Sequence, residues 1–524
     1  MAFLKVKLIR AGTKRVPVGV GESKSKISKS KGPLVSVPIG KLLKGLQAKS
    51  ISGDTDLAIR AIQYDSHQVQ SGDLFVAIRG LQKDGHDFIP QALQNGATVV
   101  VAERDGDYHP QLKILAEDSR LALAQLANNY YDHPSSKLSV AGVTGTNGKT
   151  TITYWLKSIL EAAGQKTGLI GTVRYYIGER EITATRTTPE SLDLQALLAQ
   201  MLQSDVKAVV MEVSSHALEL KRAHGIDFKV AIFTNLTREH LDFHGTMENY
   251  RQAKGILFRN LSQGSVAVLN WDDSNSRQYA NLTQAQRIFY SLKDNKAQFF
   301  AKDFKSSPKG TQALFATPNG EERYQLKLTG EFNLSNFAAV LATAQILGLN
   351  YWQIKRGAES FTGAPGRMEK IDLGQDFNIW IDYAHTPDGM ERVLSTVKSF
   401  TKGRLICLFG CGGDRDKGKR PQMGKVAKQY ADLVILSSDN PRSEDPAKIT
   451  EEILSGIKDK KKVKVILDRK EALKYAVQSA APADSVLVTG KGHENYQDIQ
   501  GVKYPFNERE IIEEELKRQG YSKE

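Results

Sequence analysis

The sequence has little cysteine, no long apolar segment and no apolar signal sequence at its start. Its two cysteines, Cys407 and Cys411, are too few for a disulfide framework and lack the partner ligands of a zinc site. No run of about 18 apolar residues is present that could cross a membrane as a helix. We therefore expect a soluble protein of the reducing cytoplasm, without a transmembrane segment and without secretion.

The overall composition is that of an ordinary globular protein. Of 524 residues, 40% are hydrophobic and 25% are charged, which excludes wholesale disorder, collagen-like repeats and coiled coil. A chain of this length usually forms about three domains, each with its own core.

The positive charge is concentrated at the N-terminus. The formal net charge is +13, and residues 1–50 hold twelve Lys and Arg against a single acid, Glu22. Residues 1–32 are rich in Lys, Ser and Gly, so we predict a basic, disordered, solvated tail. The alternative is a tail that contacts nucleic acid or an anionic membrane without specificity. Because the rest of the chain is nearly neutral, we expect no nucleic acid partner.

After the tail, short β-branched runs alternate with helical segments, which predicts an α/β protein with parallel sheets. The strand KLSVAGV at 137–143, for example, precedes an amphipathic helix at 150–164. The predicted units are a tail at 1–32, a small α/β domain at 33–136, a central domain at 137–364 and a C-terminal domain at 365–524.

Six polar clusters each follow directly after a predicted strand. They read GTNGKT, EVSSH, TNLTREH, GCGGDRDKGKR, SDNPR and GKGHE. Open α/β sheets bind ligands beyond the carboxyl ends of their strands. The clusters are therefore predicted to form binding sites rather than ordinary loops.

The first cluster is a candidate phosphate loop between a strand and a helix. Glycines let the backbone wrap around a phosphate, the lysine pairs with the β- and γ-phosphates, and the first threonine hydroxyl reaches Mg²⁺. The loop is shorter than the standard pattern, because Val143 stands where a glycine is expected. Its residues are Gly145, Thr146, Asn147, Gly148, Lys149, Thr150 and Thr151.

Two further strand ends carry candidate metal ligands. Glu212 ends one strand and His240 follows another. Mg²⁺ prefers oxygen ligands and is usually held by one or two carboxylates together with substrate phosphates. With Thr150, these residues are predicted to serve two Mg²⁺ ions that flank a transferred phosphoryl group. Taken singly, each has an alternative role, as a capping glutamate or a core histidine.

Together with GRME and DYAHTPD, these motifs resemble the Mur ligases of peptidoglycan synthesis, in the family's order and over about residues 57–500. The resemblance is to the members that add the third residue to UDP-N-acetylmuramoyl-L-alanyl-D-glutamate. It implies a UDP-binding domain, a central P-loop-type ATPase domain and a C-terminal Rossmann-like domain. It also implies an ATP-dependent, ADP-forming ligase that works through an acyl phosphate without a protein nucleophile. We also assign no catalytic triad to Ser214, Ser215 and His216, because adjacency in sequence at a strand end does not create one.

The resemblance also implies the residues that bind nucleotide and metal. A lysine at the position of Lys254 is carbamylated in this family and helps to bind the second Mg²⁺. The sequence pattern by itself would place Lys254 on the surface of a helix, and a carbamate requires a neutral amine with a lowered pKa. The implied ATP contacts are Asn333, Asn336, Arg367, Asp382, Tyr383 and His385.

A segment at 64–88 resembles the family's uridine nucleotide site, and other positions match its sugar-peptide site. His67 replaces the arginine that is common after the serine. Leu220 replaces a residue that is polar in many relatives, which removes one expected hydrogen bond. The implied UDP-sugar-peptide contacts are Ser66, Gln82, Lys83, Thr187, Thr188, Ser214 and Arg222.

The added amino acid is predicted to be meso-diaminopimelate rather than L-lysine. Diaminopimelate has an extra carboxylate at its distal end, which suits bidentate binding by the Arg442 guanidinium. Some lysine-adding enzymes keep an arginine here, so the alternative stays open. By resemblance, Glu494 suits an ammonium, and the pocket consists of Arg415, Asp439, Asn440, Arg442, Gly490 and Glu494.

Two other functions remain as alternatives. One is a sister ligase, either the enzyme that adds D-alanyl-D-alanine or folylpolyglutamate synthase. The other is a catalytically silent nucleotide-binding protein that holds nucleic acid through its tail. We expect instead a monomeric ligase that binds ATP, diaminopimelate and the UDP-linked dipeptide and closes its C-terminal domain for catalysis.

Overall fold

The computed structural model describes residues 36–80 and 83–522. The predicted tail at 1–32 and Gln82 lie outside the described residues. Within the described ranges, no helix is both long enough and apolar enough to cross a membrane.

The N-terminal unit is a five-stranded sheet covered by helices. Its elements are β1 Val37–Pro38, α1 Ile39–Leu42, β2 Ala48–Gly53, β3 Ala58–Ile59, β4 Ile62–Gln63, β5 Asp73–Val76, α2 Ile89–Gln94, β6 Ala97–Ala102, β7 Leu112–Ala116 and α3 Ser119–Tyr130. The strand order is β2-β7-β6-β5-β4, and all pairs except β2–β7 are parallel. Strands β5 and β6 are short, buried apolar runs in the interior of this sheet.

The central unit contains an eleven-stranded sheet. Its strands are β8 Ser139–Thr144, β9 Thr167–Ile170, β10 Arg174–Ile177, β11 Arg180–Thr183, β12 Ala208–Glu212, β13 Phe228–Phe233, β14 Val266–Asn270, β15 Gln286–Ser291, β16 Phe299–Ser307, β17 Gly310–Thr317 and β18 Gly320–Leu326. Its helices are α4 Lys149–Ala162, α5 Ser191–Gln203, α6 Ser215–Glu219, α7 Leu241–His244, α8 Met247–Arg259, α9 Asn275–Leu282, α10 Glu331–Ile346 and α11 Tyr351–Ser360.

This sheet is parallel in its middle and antiparallel at both edges. Its order is β11-β10-β9-β12-β8-β13-β14-β15-β16-β17-β18, and the pairs from β9 to β16 are parallel. The hairpins at the two edges, β10–β11 and β16–β17–β18, are antiparallel. The central sheet is therefore mixed, although the strands that carry the predicted loops are all in its parallel part.

The C-terminal unit has a six-stranded, mainly parallel sheet. Its elements are β19 Glu369–Ile371, β20 Asn378–Asp382, α12 Pro387–Phe400, β21 Leu405–Phe409, α13 Lys419–Tyr430, β22 Leu433–Leu436, α14 Pro446–Ser455, β23 Val463–Val465, α15 Arg469–Gln478, β24 Ser485–Thr489, β25 Tyr496–Ile499, β26 Val502–Pro505 and α16 Glu508–Arg518. The order β19-β20-β24-β21-β22-β23 places β24 and β22 on opposite sides of β21.

Helix α4, which follows the candidate phosphate loop, is fixed by packing against α10 and α11. Trp155 on α4 is fully buried, and its ring centroid lies 5.0 Å from that of Phe337 and 5.1 Å from that of Phe361. Close approach of α11 depends on Gly357, because a Cβ there would lie 2.5 Å from the Cα of Ile159. This packing sets where the first turn of α4 meets the loop.

Replacing Gly357 with alanine is therefore expected to lower the thermal unfolding midpoint of the protein. The added methyl group meets backbone that cannot give way, and such overpacking costs about 1–3 kcal/mol. Alanine also gains about 1 kcal/mol of helix propensity, which offsets part of this loss. Gly264→Ala is the control, because a Cβ at that position has open space around it. Equal midpoints for the two variants would contradict the close-packing argument.

Candidate active site

A cavity of about 210 Å³ lies where the central sheet's parallel strands end and the C-terminal unit begins. Its walls come from the loops after β8, β12 and β13, from α8 and α10, and from the start of the C-terminal unit. The predicted site residues that line it are Thr146, Asn147, Gly148, Lys149, Thr150, Thr151, Thr187, Glu212, Ser214, His240, Lys254, Asn333, Asn336, Arg367, Asp382, Tyr383 and His385.

The candidate phosphate loop ends at the first residue of α4. Gly148 has φ +92°, and a Cβ at that position would lie 2.4 Å from Asn336 Oδ1, so a side chain is excluded there. The Lys149 ammonium folds back and donates to the carbonyl oxygens of Gly145 (2.9 Å) and Thr146 (2.8 Å). Helix α4 begins beside it, and the free N–H groups of its first turn favour an anion.

Glu212 ends β12 with its side chain buried among hydroxyl groups. Its Oε1 accepts from the Thr150 hydroxyl at 3.0 Å and from the Thr172 N–H at 2.9 Å. Its Oε2 accepts from the Thr172 hydroxyl at 3.0 Å. The carboxylate predicted as a metal ligand is thus held against the first residues of α4 and lines the cavity.

Lys254 is buried on α8, contrary to what the sequence pattern by itself would suggest. Its side chain reaches Gly145, whose carbonyl oxygen it contacts at 2.9 Å, and its Nζ lies 4.5 Å from the Tyr250 ring centroid. Burial lowers the pKa of Lys254 well below its usual value, and the neighbouring Lys149 cation lowers it further. Both lysines contact the same carbonyl oxygen, which explains their repulsion. A neutral amine on Lys254 is therefore favoured.

His240 and Glu239 occupy the loop that follows β13. Burial lowers the pKa of His240 to about 4, so its imidazole is neutral near pH 7 and has a free lone pair to offer. Glu239 contacts His385 (Oε1 to Nε2, 3.1 Å) and His240 (Oε2 to Nε2, 3.6 Å). Burial opposes its ionisation, but the pKa of Glu239 is lowered by His240, His385 and Lys149. Glu239 therefore stays ionised in the cavity wall.

The C-terminal unit contributes Arg367 and the segment around Asp382. The Arg367 guanidinium donates to the Thr150 hydroxyl at 3.2 Å and lies 4.5 Å from the Tyr383 ring centroid. Both carboxylate oxygens of Asp382 accept backbone N–H groups, from Met368 and Ala384, each at 2.7 Å. Asp382 therefore shapes the loop, whereas Arg367 reaches the phosphate loop directly.

The asparagines of α10 complete this cavity. Asn336 donates to Asn333 Oδ1 at 3.4 Å, and Asn333 donates to the Thr329 carbonyl oxygen at 2.9 Å. Across the unit boundary, Asn147 Nδ2 donates to Asp388 Oδ2 at 3.0 Å. The phosphate loop is thus in contact with both α10 and the start of α12.

A second cavity of about 650 Å³ adjoins the first and shares five residues of its wall. The shared residues are Glu239, His240, Tyr383, His385 and Thr386. The predicted amino-acid residues that line the second cavity are Arg415, Asp439, Asn440, Arg442, Gly490 and Glu494. The structure thus brings this whole predicted set together, next to the phosphate loop.

Arg442 and Glu494 are both held in place within the second cavity. Arg442 Nη1 donates to the Gly413 carbonyl oxygen at 2.6 Å, and the Arg442 backbone pairs with that of Asp498 and Gln500. Glu494 Oε2 accepts from Asn440 Nδ2 at 2.7 Å. The cavity therefore presents a fixed cation and a fixed anion, as a ligand with a carboxylate and an ammonium requires.

The predicted sugar-peptide residues are more dispersed. Thr187 and Ser214 line the first cavity. Thr188 lies behind them, and its hydroxyl donates to the Glu212 carbonyl oxygen at 2.8 Å. Arg222 is buried and pairs with Glu190 at 3.2 Å.

The N-terminal residues of this set lie in their own unit. The buried Ser66 hydroxyl donates to Gln91 Oε1 at 2.7 Å. Lys83 is exposed, with its Nζ 5.9 Å from the Phe88 ring centroid. Neither residue lines the two cavities described above.

Among the described residues, no group of three or more His, Cys, Asp or Glu side chains is arranged to hold a metal by itself. The predicted ligands that line the cavity are a carboxylate, Glu212, a hydroxyl, Thr150, and a neutral imidazole, His240, and the Glu239 carboxylate lies beside them. Mg²⁺ commonly keeps several waters and takes one or two carboxylates plus substrate phosphates. The donor set in the cavity fits that type of binding.

Sequence reasoning missed several side chains that shape the two cavities. Glu239 stands inside the TNLTREH cluster, but only the fold shows that it contacts both His240 and His385. Lys491 stands inside GKGHE and is fully buried below the second cavity. Thr172 belongs to a segment that carried no signal beyond ordinary polarity, and Asp388 ends the DYAHTPD motif, but its contact with Asn147 was not predicted.

Three family models match this chain. The Mur ligase family catalytic domain matches residues 58–131, the Mur ligase middle domain matches 143–344, and the Mur ligase glutamate ligase domain matches 366–492.

Relatives with similar sequences cover nearly the whole chain. A UDP-N-acetylmuramoyl-L-alanyl-D-glutamate–2,6-diaminopimelate ligase of Caldanaerobacter subterraneus subsp. tengcongensis is 44% identical, over 91% of this chain and 98% of the relative. A protein of the same description from Clostridium acetobutylicum is 42% identical, over 91% of this chain and 98% of the relative. A solved structure of such a ligase superposes with a TM-score of 0.68 at 31% identity, over 93% of this chain and 100% of that one.

Proposed function

Because this chain belongs to the Mur ligase family, we propose that it is the ATP-dependent ligase that adds meso-2,6-diaminopimelate to UDP-N-acetylmuramoyl-L-alanyl-D-glutamate in peptidoglycan synthesis. One observation carries this proposal beyond the family. The cavity with the phosphate loop adjoins a second cavity in which Arg442 and Glu494 offer a fixed cation and a fixed anion. Relatives at 42–44% identity over almost their full length carry the same description.

The two adjoining cavities suit a reaction in two steps. In the first, the D-glutamyl carboxylate attacks the γ-phosphate of ATP, which gives an acyl phosphate and ADP. In the second, the free amine of diaminopimelate attacks the acyl carbon, and inorganic phosphate leaves as the amide forms. Lys149 and Arg367 would stabilise the charge on the phosphoryl group during its transfer.

Two Mg²⁺ ions would be held by Thr150, Glu212, His240 and a carbamylated Lys254. Bound Mg²⁺ neutralises phosphate charge and orients the phosphoryl group. Formation of the carbamate joins the Lys254 nitrogen to the carbon of CO₂ and releases a proton. The lowered pKa of Lys254 supports this reaction, because only the neutral amine is nucleophilic.

Replacing Lys254 with methionine is expected to lower kcat roughly ten- to a hundredfold, the usual loss when support for a metal site is removed. In protein equilibrated with ¹³C-bicarbonate, a carbamate signal in the ¹³C NMR spectrum should be present for the unmodified chain and absent for the variant. Lys229→Met, at an exposed position on β13, is the matched control. A signal that persists in Lys254→Met would place the carbamate elsewhere.

Other assignments follow from the same proposal. Ser66, Gln82, Lys83, Thr187, Thr188, Ser214 and Arg222 would bind the UDP-sugar-peptide. A single chain supplies residues to both cavities, which supports a monomer. Both cysteines are unpaired thiols, which supports the reducing cytoplasm as the site of action.

Mass spectrometry of the reaction product tests the proposed function. ATP, Mg²⁺, the UDP-linked dipeptide and diaminopimelate together should give the UDP-linked tripeptide and ADP, and omission of any one should prevent it. A product formed from D-alanyl-D-alanine and the UDP-linked tripeptide instead would assign the chain to the sister ligase. Absence of both products, with salt-sensitive DNA binding, would favour the silent nucleotide-binding protein.

A further inference from the structure

Lys491 is a lysine without any exposed side-chain surface, two residues after the end of β24 and below the second cavity. A buried ammonium is unfavourable unless hydrogen bonds and opposite charges compensate for lost water. The partners of Lys491 therefore indicate what its burial achieves.

Those partners are the residues that form the floor of the amino-acid cavity. Lys491 Nζ donates to Asn440 Oδ1 at 2.9 Å and lies 3.6 Å from Glu494 Oε2. The same Asn440 Oδ1 accepts from the Asp498 N–H at 2.9 Å, while Asn440 Nδ2 donates to Glu494 Oε2 at 2.7 Å. Because Asn440 Oδ1 accepts two hydrogen bonds, the orientation of the Asn440 amide is fixed. Its Nδ2 group then holds Glu494 Oε2 in place.

These contacts also join two loops whose strands are not paired directly with each other. Asn440 follows β22 and Glu494 follows β24, and the two strands lie on opposite sides of β21. Backbone hydrogen bonds link Arg442 to Asp498 and Gln500, which follow Glu494 in the chain. The Lys491 side chain adds a link on the other side of Glu494 and so helps to set where Glu494 lies relative to Arg442.

We propose that Lys491 is a positioning residue that makes the second cavity select diaminopimelate over lysine. By holding Oε2 of Glu494 through Asn440, it leaves Oε1, 3.5 Å from the Tyr383 hydroxyl, to receive the substrate ammonium. Its charge also offsets part of the negative charge of Asp439 and Glu494, the acids of the cavity wall that lie in the same loops as its partners. Diaminopimelate is neutral overall and lysine carries a net positive charge, so removal of the Lys491 charge favours lysine. This inference rests on the proposed function.

Replacing Lys491 with methionine, which is similar in length but uncharged, tests the inference. KM for diaminopimelate should rise about tenfold, the effect of one charge-assisted hydrogen bond. KM for ATP and for the UDP-linked dipeptide should change little, and the ratio of kcat/KM for diaminopimelate over L-lysine should fall about tenfold. Lys474→Met is the matched control and should leave all values unchanged, because Lys474 is a partly exposed residue of α15 that pairs with Glu471 and does not line the second cavity.

A double-mutant cycle separates positioning from a merely structural role. If Lys491 acts through Glu494, its replacement should have little further effect on KM for diaminopimelate in a Glu494→Gln background. Full persistence of the effect there, or equal losses for both amino acids, would overturn the inference.

Lys491→Arg provides a second variant if Lys491→Met does not fold. The charge is kept, but the larger planar guanidinium cannot take the place of the ammonium beside Asn440, so KM for diaminopimelate should still rise. An unchanged KM would overturn the inference. If the unmodified chain forms no product with any amino acid, both this inference and the proposed function are overturned. If the unmodified chain is active and Lys491→Met has the same KM for diaminopimelate and the same selectivity, only the inference is overturned.

Discussion

Replacing Lys149 with methionine is expected to lower kcat/KM for phosphate release by about a thousandfold. Losses of this size are typical when an enzyme loses one group that stabilises charge in the transition state. Lys149 is the ammonium of the phosphate loop, and it now bonds to the carbonyl oxygens of Gly145 and Thr146. Phosphate oxygens of ATP would compete for the same ammonium. Methionine keeps the length of the side chain and removes its charge, so the loop should remain folded.

The matched control for this experiment is Lys157→Met on the same helix. Lys157 pairs with Glu161 at 2.6 Å one turn further along and does not line the cavity. Its replacement should leave phosphate release near the normal rate. A Lys149→Met enzyme with a normal thermal midpoint and more than a tenth of normal kcat/KM would contradict the role given to the loop.

Replacing Arg442 with leucine is expected to lower kcat/KM for diaminopimelate by roughly a hundred- to a thousandfold. The guanidinium is anchored to the Gly413 carbonyl oxygen and faces a cavity that also holds Glu494. Loss of one partner from a buried, hydrogen-bonded charge pair costs about 2–5 kcal/mol. L-lysine has no distal carboxylate, so its use should be unchanged or improved.

Arg518→Leu serves as the control for this substitution. Arg518 is an exposed residue near the end of α16 and pairs with Glu515 at 2.8 Å, outside both cavities. An Arg442→Leu enzyme that loses diaminopimelate and lysine activity by the same factor would show that the arginine does not recognise the distal carboxylate. Arg442→Lys, which keeps charge without the planar fork, should recover only part of the loss.

The sequence predicted the parallel strands and the polar loops that follow them, because these have strong local signals. The predicted strand at 137–143, for example, corresponds to β8 and the predicted helix at 150–164 to α4. The antiparallel meander of β16, β17 and β18 was not predicted. Its strands, at the edge of the sheet, mix exposed charged residues with buried ones, which gives a weaker pattern.

Individual site residues could be predicted only where a motif or resemblance identified them. Lys254 illustrates the limit, because a lysine on an amphipathic helix is usually exposed, and its burial depends on Tyr250 and the phosphate loop. Glu239 and Lys491 were missed for a related reason. Glu239 contacts His385, and Lys491 contacts Asn440. The partners in each pair are far apart in sequence, and only the folded sheets bring them together.

Phosphate release with ATP, Mg²⁺ and UDP-N-acetylmuramoyl-L-alanyl-D-glutamate tests the central claim most directly, with meso-diaminopimelate and L-lysine compared at equal concentrations. The account predicts rapid release with diaminopimelate and release at least about tenfold slower with lysine, because only diaminopimelate offers Arg442 a carboxylate. A preference for lysine would contradict the role of Arg442 while keeping the family. No release with either amino acid would contradict the proposed function itself.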